Sequence, residues 1–289
     1  MTISVEQLGD PVDARPLMRA VRERLDALVA DIDDADWRRS TVCPGWDVAD
    51  LVAHLVGDDL GRLSRTHDGA AGPPWRPGED LPAYLDRIND EWVVALRRLS
   101  PAVLVSLLGA GGAEVLDLWD EAIGRDDLTG AVSWAGLDDG VGWMDHARDT
   151  TEYWIHEQHL REAVLRPHAA PDEVAAVVDI LARGLPFSLR AVEAPDGARV
   201  EVGATDLGLD WAVDRRDGRW WFAGHRPVAP DVGGGATTPP FARVQGTGDA
   251  MWRRWSRHPA GGRGAFTAAG DAGAGRAVVD HVAVIRAAD

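Results

Sequence analysis

His54, Glu152 and His156 are the residues of this chain whose types and spacing best suit chemistry. Glu152 and His156 lie four apart in Thr150-Thr151-Glu152-Tyr153-Trp154-Ile155-His156. On a helix that spacing stacks both side chains on one face, a turn apart. His54 lies in a second helical pattern, Asp50-Leu51-Val52-Ala53-His54-Leu55. If the two helices pack side by side, two imidazoles and one carboxylate converge. That set suits Zn²⁺ or another divalent ion and leaves a coordination position open.

The same helix face carries more than two polar groups. Asp145, Asp149, Glu152, His156 and His159 step by four, three, four and three, and Asp47, Asp50, His54 and Asp58 form a similar row upstream. A row of this kind is commonly a solvated face. Two features argue otherwise: histidine is mixed with carboxylate, and the apolar Trp154 and Ile155 lie directly beside the row. Spacing does not choose between His156 and His159 as ligand. Should the site be closed by a fourth protein ligand, His159, Asp149 and Asp58 are the candidates.

Helices must position these groups. Leu17, Val21, Leu25 and Val29 recur at helical spacing within a helix expected over 13–33. Asp47 is an N-cap signal for a helix running to about Ser64, with Val48, Leu51, Val52, Leu55 and Val56 as its apolar stripe. A third helix is expected over 81–99, ended by Ser100-Pro101, and a fourth over 141–165. The stretch 101–140 reads as less regular, with a short helix near 116–123. The four long helices predict a bundle, a common frame for metal sites.

After about residue 168 the pattern changes. A helix over 171–193 precedes strand-like runs at 199–202, 209–213 and 219–223, with a hairpin signal at Asp217-Gly218. A Gly/Pro-rich linker follows at 232–240, then a helix over 248–257 and a tail at 276–288 that reads as strand or helix. The expected fold class is α+β: a helical bundle over 1–168 and a small α/β domain over 169–289.

Composition narrows the function. The chain has 289 residues, 30 basic and 47 acidic, for a net charge of −17. Such a surface repels phosphate backbones and argues against nucleic acid as partner. Every Lys/Arg position is arginine, which reads as the coding bias of a GC-rich genome. A single cysteine, Cys43, rules out an internal disulfide. The N-terminus shows no signal pattern, and no apolar run is read as a membrane span. The expectation is a cytoplasmic protein without membrane partners, monomeric or homodimeric.

Other candidates are weaker. Cys43 is followed by Pro44 with no histidine near it in sequence, so it reads as a small loop residue rather than a nucleophile. The run Arg253-Arg254-Trp255-Ser256-Arg257 would suit an anion or a plain surface helix. Gly233-Gly234-Gly235 is followed by Ala-Thr-Thr-Pro-Pro, which opens no phosphate-binding helix.

Trp37 with Cys43-Pro44-Gly45-Trp46-Asp47-Val48-Ala49-Asp50-Leu51-Val52-Ala53-His54-Leu55 resembles the N-terminal signature of the mycothiol-dependent maleylpyruvate isomerase family, among the DinB-like metal-binding four-helix bundles. Thr151 through Ala163 resembles its second signature, and Val132-Ser133-Trp134-Ala135-Gly136 a segment that precedes it. A looser likeness from Val244 to Arg257 is to the family's small sterol-carrier-like C-terminal domain. The resemblance implies His54, Glu152 and His156 as metal ligands, and so selects His156 over His159. It implies mycothiol as thiol cosubstrate and an actinobacterial host. One departure stands out: relatives commonly carry Asp where this chain has His159, a position that could orient Arg161 or act as an acid/base group.

The implied chemistry is activation of a low-molecular-weight thiol as a metal thiolate. Addition to a cis double bond, rotation and elimination would give isomerisation. Attack that stays attached would give S-transfer to a small electrophile. His159 and Arg257 are the candidate catalytic residues, Arg257 as anchor for a dicarboxylate, and Arg161 is the candidate thiol-binding residue. The alternative is a non-catalytic metal- or small-molecule-binding module on the same bundle.

Overall fold

Helix α1 (Arg15–Ala30) buries Met18, Val21, Leu25 and Val29, the face its sequence spacing predicts. The computed structural model describes residues 3–122, 130–168, 170–227 and 239–283. Helix α2 (Val48–Asp68) starts at a reciprocal cap: the Asp47 side chain accepts from the Asp50 amide, and Asp50 accepts from the Asp47 amide. It ends at Gly69 in the left-handed conformation, φ 61°. Helix α3 (Leu81–Leu96) is capped by Asp80 and buries only Val93.

The stretch read as irregular is a 22-residue helix, α4 (Pro101–Ala122). Gly109, Gly111 and Gly112 hid it, since each glycine weakens a helix by about 1 kcal/mol relative to alanine. The structure uses one of these gaps. Arg22 of α1 lies over Gly112, donates to the Leu108 carbonyl at 2.9 Å, and pairs with Asp59 of α2 at 2.9 and 3.1 Å. A Cβ at residue 112 would lie 1.8 Å from the guanidinium. The four-helix core is therefore α1, α2, α4 and α5 (Gly142–Ala163), with α3 laid against α2. By length and composition α4 is long and apolar enough to cross a membrane, contrary to the sequence reading, and here it packs against α1 and α2.

Contacts divide the chain into two compact units. The helical unit holds the described residues of 13–130 and 140–168. The mixed unit takes 3–12, 131–139 and 170–283, where sequence had suggested a single cut after 168. Within the mixed unit, Gln7 donates to the Trp220 carbonyl at 2.8 Å and Arg183 to the Leu8 and Asp10 carbonyls at 3.1 and 2.7 Å. These bonds explain why the first residues sort with the sheet.

The mixed unit carries β1 (Arg199–Ala204), β2 (Leu209–Arg216), β3 (Arg219–Pro227), β4 (Ala242–Gly246) and β5 (Thr267–Gly270) in the order β3-β2-β1-β4-β5. Among the described strands only the β1–β4 pair is parallel. Asp217 and Gly218, φ 49° and 70°, make the predicted tight turn. The expected 171–193 helix breaks at Gly184 into α6 (Pro171–Ala182) and α7 (Leu185–Leu189). Helices α8 (Gly248–Trp255) and α9 (Ala272–Val279) complete the unit, so the undecided tail begins as helix. The linker at 232–240 lies largely outside the described residues, as does the tail beyond 283.

Candidate metal centre

Helix α5 is buried nearly all round, and its polar row is not a solvated face: Asp145, Asp149, His156 and His159 are all buried. Burial of that many charges requires partners. At the start of the helix they are arginines. Asp145 accepts from Arg62 at 2.8 Å, from Arg148 at 2.7 Å and from the Gly130 amide at 2.7 Å. Burial alone would raise its pKa, but the guanidinium groups of Arg148 and Arg62 hold it well below the usual carboxylate range. Asp149 accepts from Arg62 at 3.2 Å and from Trp119 Nε1 at 2.9 Å. Both its oxygens are thus engaged by fixed donors.

One turn further on, the partners are histidines. His156 Nε2 lies 3.0 Å from Glu152 Oε1, and His54 Nε2 of α2 lies 3.6 Å from the same oxygen. The two imidazoles meet edge to face at 4.9 Å, and Trp46 packs 5.0 Å from His54. Two lone-pair nitrogens and one carboxylate oxygen thus converge within 4.8 Å of one another. A tetrahedral ion with bonds of about 2.0–2.1 Å places its ligand atoms about 3.3 Å apart, between the two separations seen. His54 Nδ1 is buried without a hydrogen-bond partner among the described residues. Asp58 Oδ2 lies 3.5 Å from His54 Nε2, and the Glu152 and Asp58 side chains are each 30% exposed.

The electrostatics follow from this crowding. Burial works to raise the Glu152 pKa, but hydrogen bonds and charge from His156 and His54 hold it well below the ordinary value. Burial works to lower His156, yet Cys43 and Glu152 push it up to about 10. Asp58 is raised by burial and by Glu152 and Asp149, with His54 opposing.

Of the residues singled out from sequence, His54, Glu152 and His156 come together. His159 adjoins them, its Nδ1 3.3 Å from His156 Nδ1. Arg161 does not join them: its guanidinium bonds Glu157 at 2.8 Å and the Pro167 carbonyl at 3.0 Å, tying down the end of α5. Glu157 also pairs with Arg24 of α1. Arg257 belongs to the mixed unit, exposed just beyond α8 with φ 57°. Cys43, read as a plain loop residue, has its sulfur 3.6 Å from His159 Nδ1. Those two residues are 116 positions apart, and no local signal links them.

Residues 18–161 match the family model described as the mycothiol maleylpyruvate isomerase N-terminal domain. The helical part of this chain belongs to that family. The match spans every residue of the cluster and excludes Arg257. A crystal structure of the mycothiol-dependent maleylpyruvate isomerase shares the fold, with a TM-score of 0.53 at 15% identity, covering 88% of this chain and 91% of the other. A histidine-to-alanine mutant of that enzyme gives 0.52 at the same identity and coverage. No curated protein gives a significant match.

Proposed function

We propose that the helical unit binds a divalent metal ion at His54, Glu152 and His156, and that the protein is an enzyme using mycothiol, or a thiol like it, on a small electrophile. The convergence of His54 Nε2, His156 Nε2 and Glu152 Oε1 carries this reading. Membership of the family supports it, and the family's name supplies the thiol and the isomerase class. When bound, such an ion, zinc being the natural choice for this donor set, would hold an incoming thiol as thiolate at neutral pH.

The chain's own groups have separable tasks. His156 Nε2 and Glu152 Oε1 meet at 3.0 Å, so the two atoms that would ligate an ion are already held side by side. Trp46 and the helix packing hold the His54 ring. Asp58, partly exposed beside His54, is placed to receive the proton a thiol gives up. His159 is buried, within reach of His156 and Cys43, and supplies a further acid/base group. Isomerisation and S-transfer share all of these tasks and differ in whether the thiol is eliminated.

The test is elemental analysis of native protein and of a Glu152→Ala/His156→Ala variant, followed by a screen of mycothiol with cis-unsaturated dicarboxylates. About one ion per native chain, absent from a folded variant, with thiol-dependent turnover is the expected result. Native protein that takes up no divalent metal on reconstitution sinks the reading and leaves a binding module.

A further inference from the structure

A second group of ligand atoms lies beside the first. Cys43, His156 and His159 each offer one, all within 4.8 Å of one another. Cys43 sits in a loop closed by the Ser40–Asp47 bridge, with Thr41 Oγ1 donating to the Trp46 carbonyl at 2.9 Å and accepting from the Cys43 amide at 3.1 Å. The thiol is therefore held in place rather than carried on a free loop. From it, Sγ to His159 Nδ1 is 3.6 Å, and His159 Nδ1 to His156 Nδ1 is 3.3 Å. A tetrahedral ion with a sulfur bond of about 2.3 Å and nitrogen bonds of about 2.0–2.1 Å requires S–N and N–N separations of about 3.5 and 3.3 Å. Two of the three pairs already stand close to that spacing, and the third lies within 4.8 Å.

His156 belongs to both groups through opposite ring atoms. Nε2 faces Glu152, and Nδ1 faces His159. A neutral imidazole has one lone-pair nitrogen, and its tautomer decides which. An ion on the Glu152 side and an ion on the Cys43 side therefore compete for the same ring. The donor sets also differ in kind. One sulfur and two nitrogens select soft ions, whereas two nitrogens and a carboxylate accept harder ones.

We propose that Cys43, His156 and His159 form a second metal site, selective for thiophilic ions, that competes with the His54/Glu152/His156 site for His156. On binding, the thiol releases its proton to solvent, and Nδ1 of each ring is the unprotonated atom. A soft ion seated there withdraws His156 from the first site, so the site sets which metals poison or replace the working one. Its existence does not depend on the proposed activity. Only the competition rests on the first site holding metal.

The test is titration of chelator-stripped full-length protein with Cd²⁺, following near-ultraviolet thiolate-to-metal absorption. The chain has one cysteine, so the band reports Cys43 alone. One equivalent of the band is expected in native protein and in Glu152→Ala, where the first site is broken. Cys43→Ser should show none, and His159→Ala should bind at least tenfold more weakly. An unchanged affinity in His159→Ala would reduce the site to a lone thiol and overturn the proposal, as would Cd²⁺ bound to Glu152→Ala without the band. Competition is read with one equivalent of Co²⁺ preloaded. Visible Co²⁺ absorption should fall as the Cd²⁺ band rises, and two ions held together by native protein would refute it. If instead Glu152→Ala keeps the native Co²⁺ affinity while the Cd²⁺ band persists, the first site fails and the second stands.

Discussion

The two halves of one polar row on α5 are built from similar residues to opposite ends. At Asp145 and Asp149 the buried negative charge is matched by Arg62 and Arg148, and an indole N–H takes the remaining oxygen. At Glu152 the neighbours are the imidazoles of His156 and His54 rather than guanidinium groups. A metal ion can take the place of a proton on imidazole. It cannot take the place of a guanidinium, which stays charged at any working pH. What separates a structural network from a ligand site in this bundle is therefore the chemistry of the counter-charge.

Breaking the fixed half should cost the most. Arg62→Met leaves Asp145 and Asp149 buried with fewer partners and is expected to lower unfolding free energy by about 3–5 kcal/mol, read by urea denaturation. Metal content per folded molecule should be unchanged. If it falls in step with stability, the halves are not separate. The exchangeable half should behave the other way. His156→Ala is expected to weaken divalent-metal affinity at least a hundredfold, about 2.7 kcal/mol, while metal-free stability falls by less than in Arg62→Met. Calorimetric metal titration beside urea curves of the stripped protein decides this.

The smallest effect should come from His146 on the same helix, fully buried with neither ring nitrogen hydrogen-bonded among the described residues. Burial pushes its pKa down to about 4, with Asp149 and Asp13 opposing. The folded state holds it neutral, so the unfolded state binds more protons between about 6.5 and 4. Its contribution is present above about 6.5 and lost as pH falls through that window. His146→Leu should change stability at pH 7 by no more than about 1 kcal/mol and flatten the decline toward pH 4. Urea midpoints at pH 7 and pH 5 measure both.

Much of this was readable from the chain. The Asp47 cap, the Asp217-Gly218 turn and the alternation of β2 are local signals, and local chemistry produced them. The i,i+4 pair Glu152/His156 is local too. Its convergence with His54 depended on which helices pack together. Helix α4 was missed because glycine propensity is local while the reason for Gly112 is Arg22, 90 positions away. Strand β4 was missed because Ala-Arg-Val-Gln-Gly is short, though it alternates buried and exposed. The role of Arg62 was hidden for a related reason: a cation on α2 has no marked partner until α5 lies against it. Cys43 and His159 could be paired only by the fold.

The close approach of Arg22 to Gly112 also bears on how this sequence can change. Any substitution at 112 adds a Cβ, and that atom would fall 1.8 Å from the guanidinium. The same guanidinium is held by Asp59, whose Oδ1 also accepts from the Tyr153 hydroxyl. A side chain at 112 therefore costs the contacts of Arg22, and Arg22 cannot leave alone without stranding Asp59 in the core. The least costly route to a side chain at 112 is therefore one in which Asp59 and Arg22 give way together to an apolar pair.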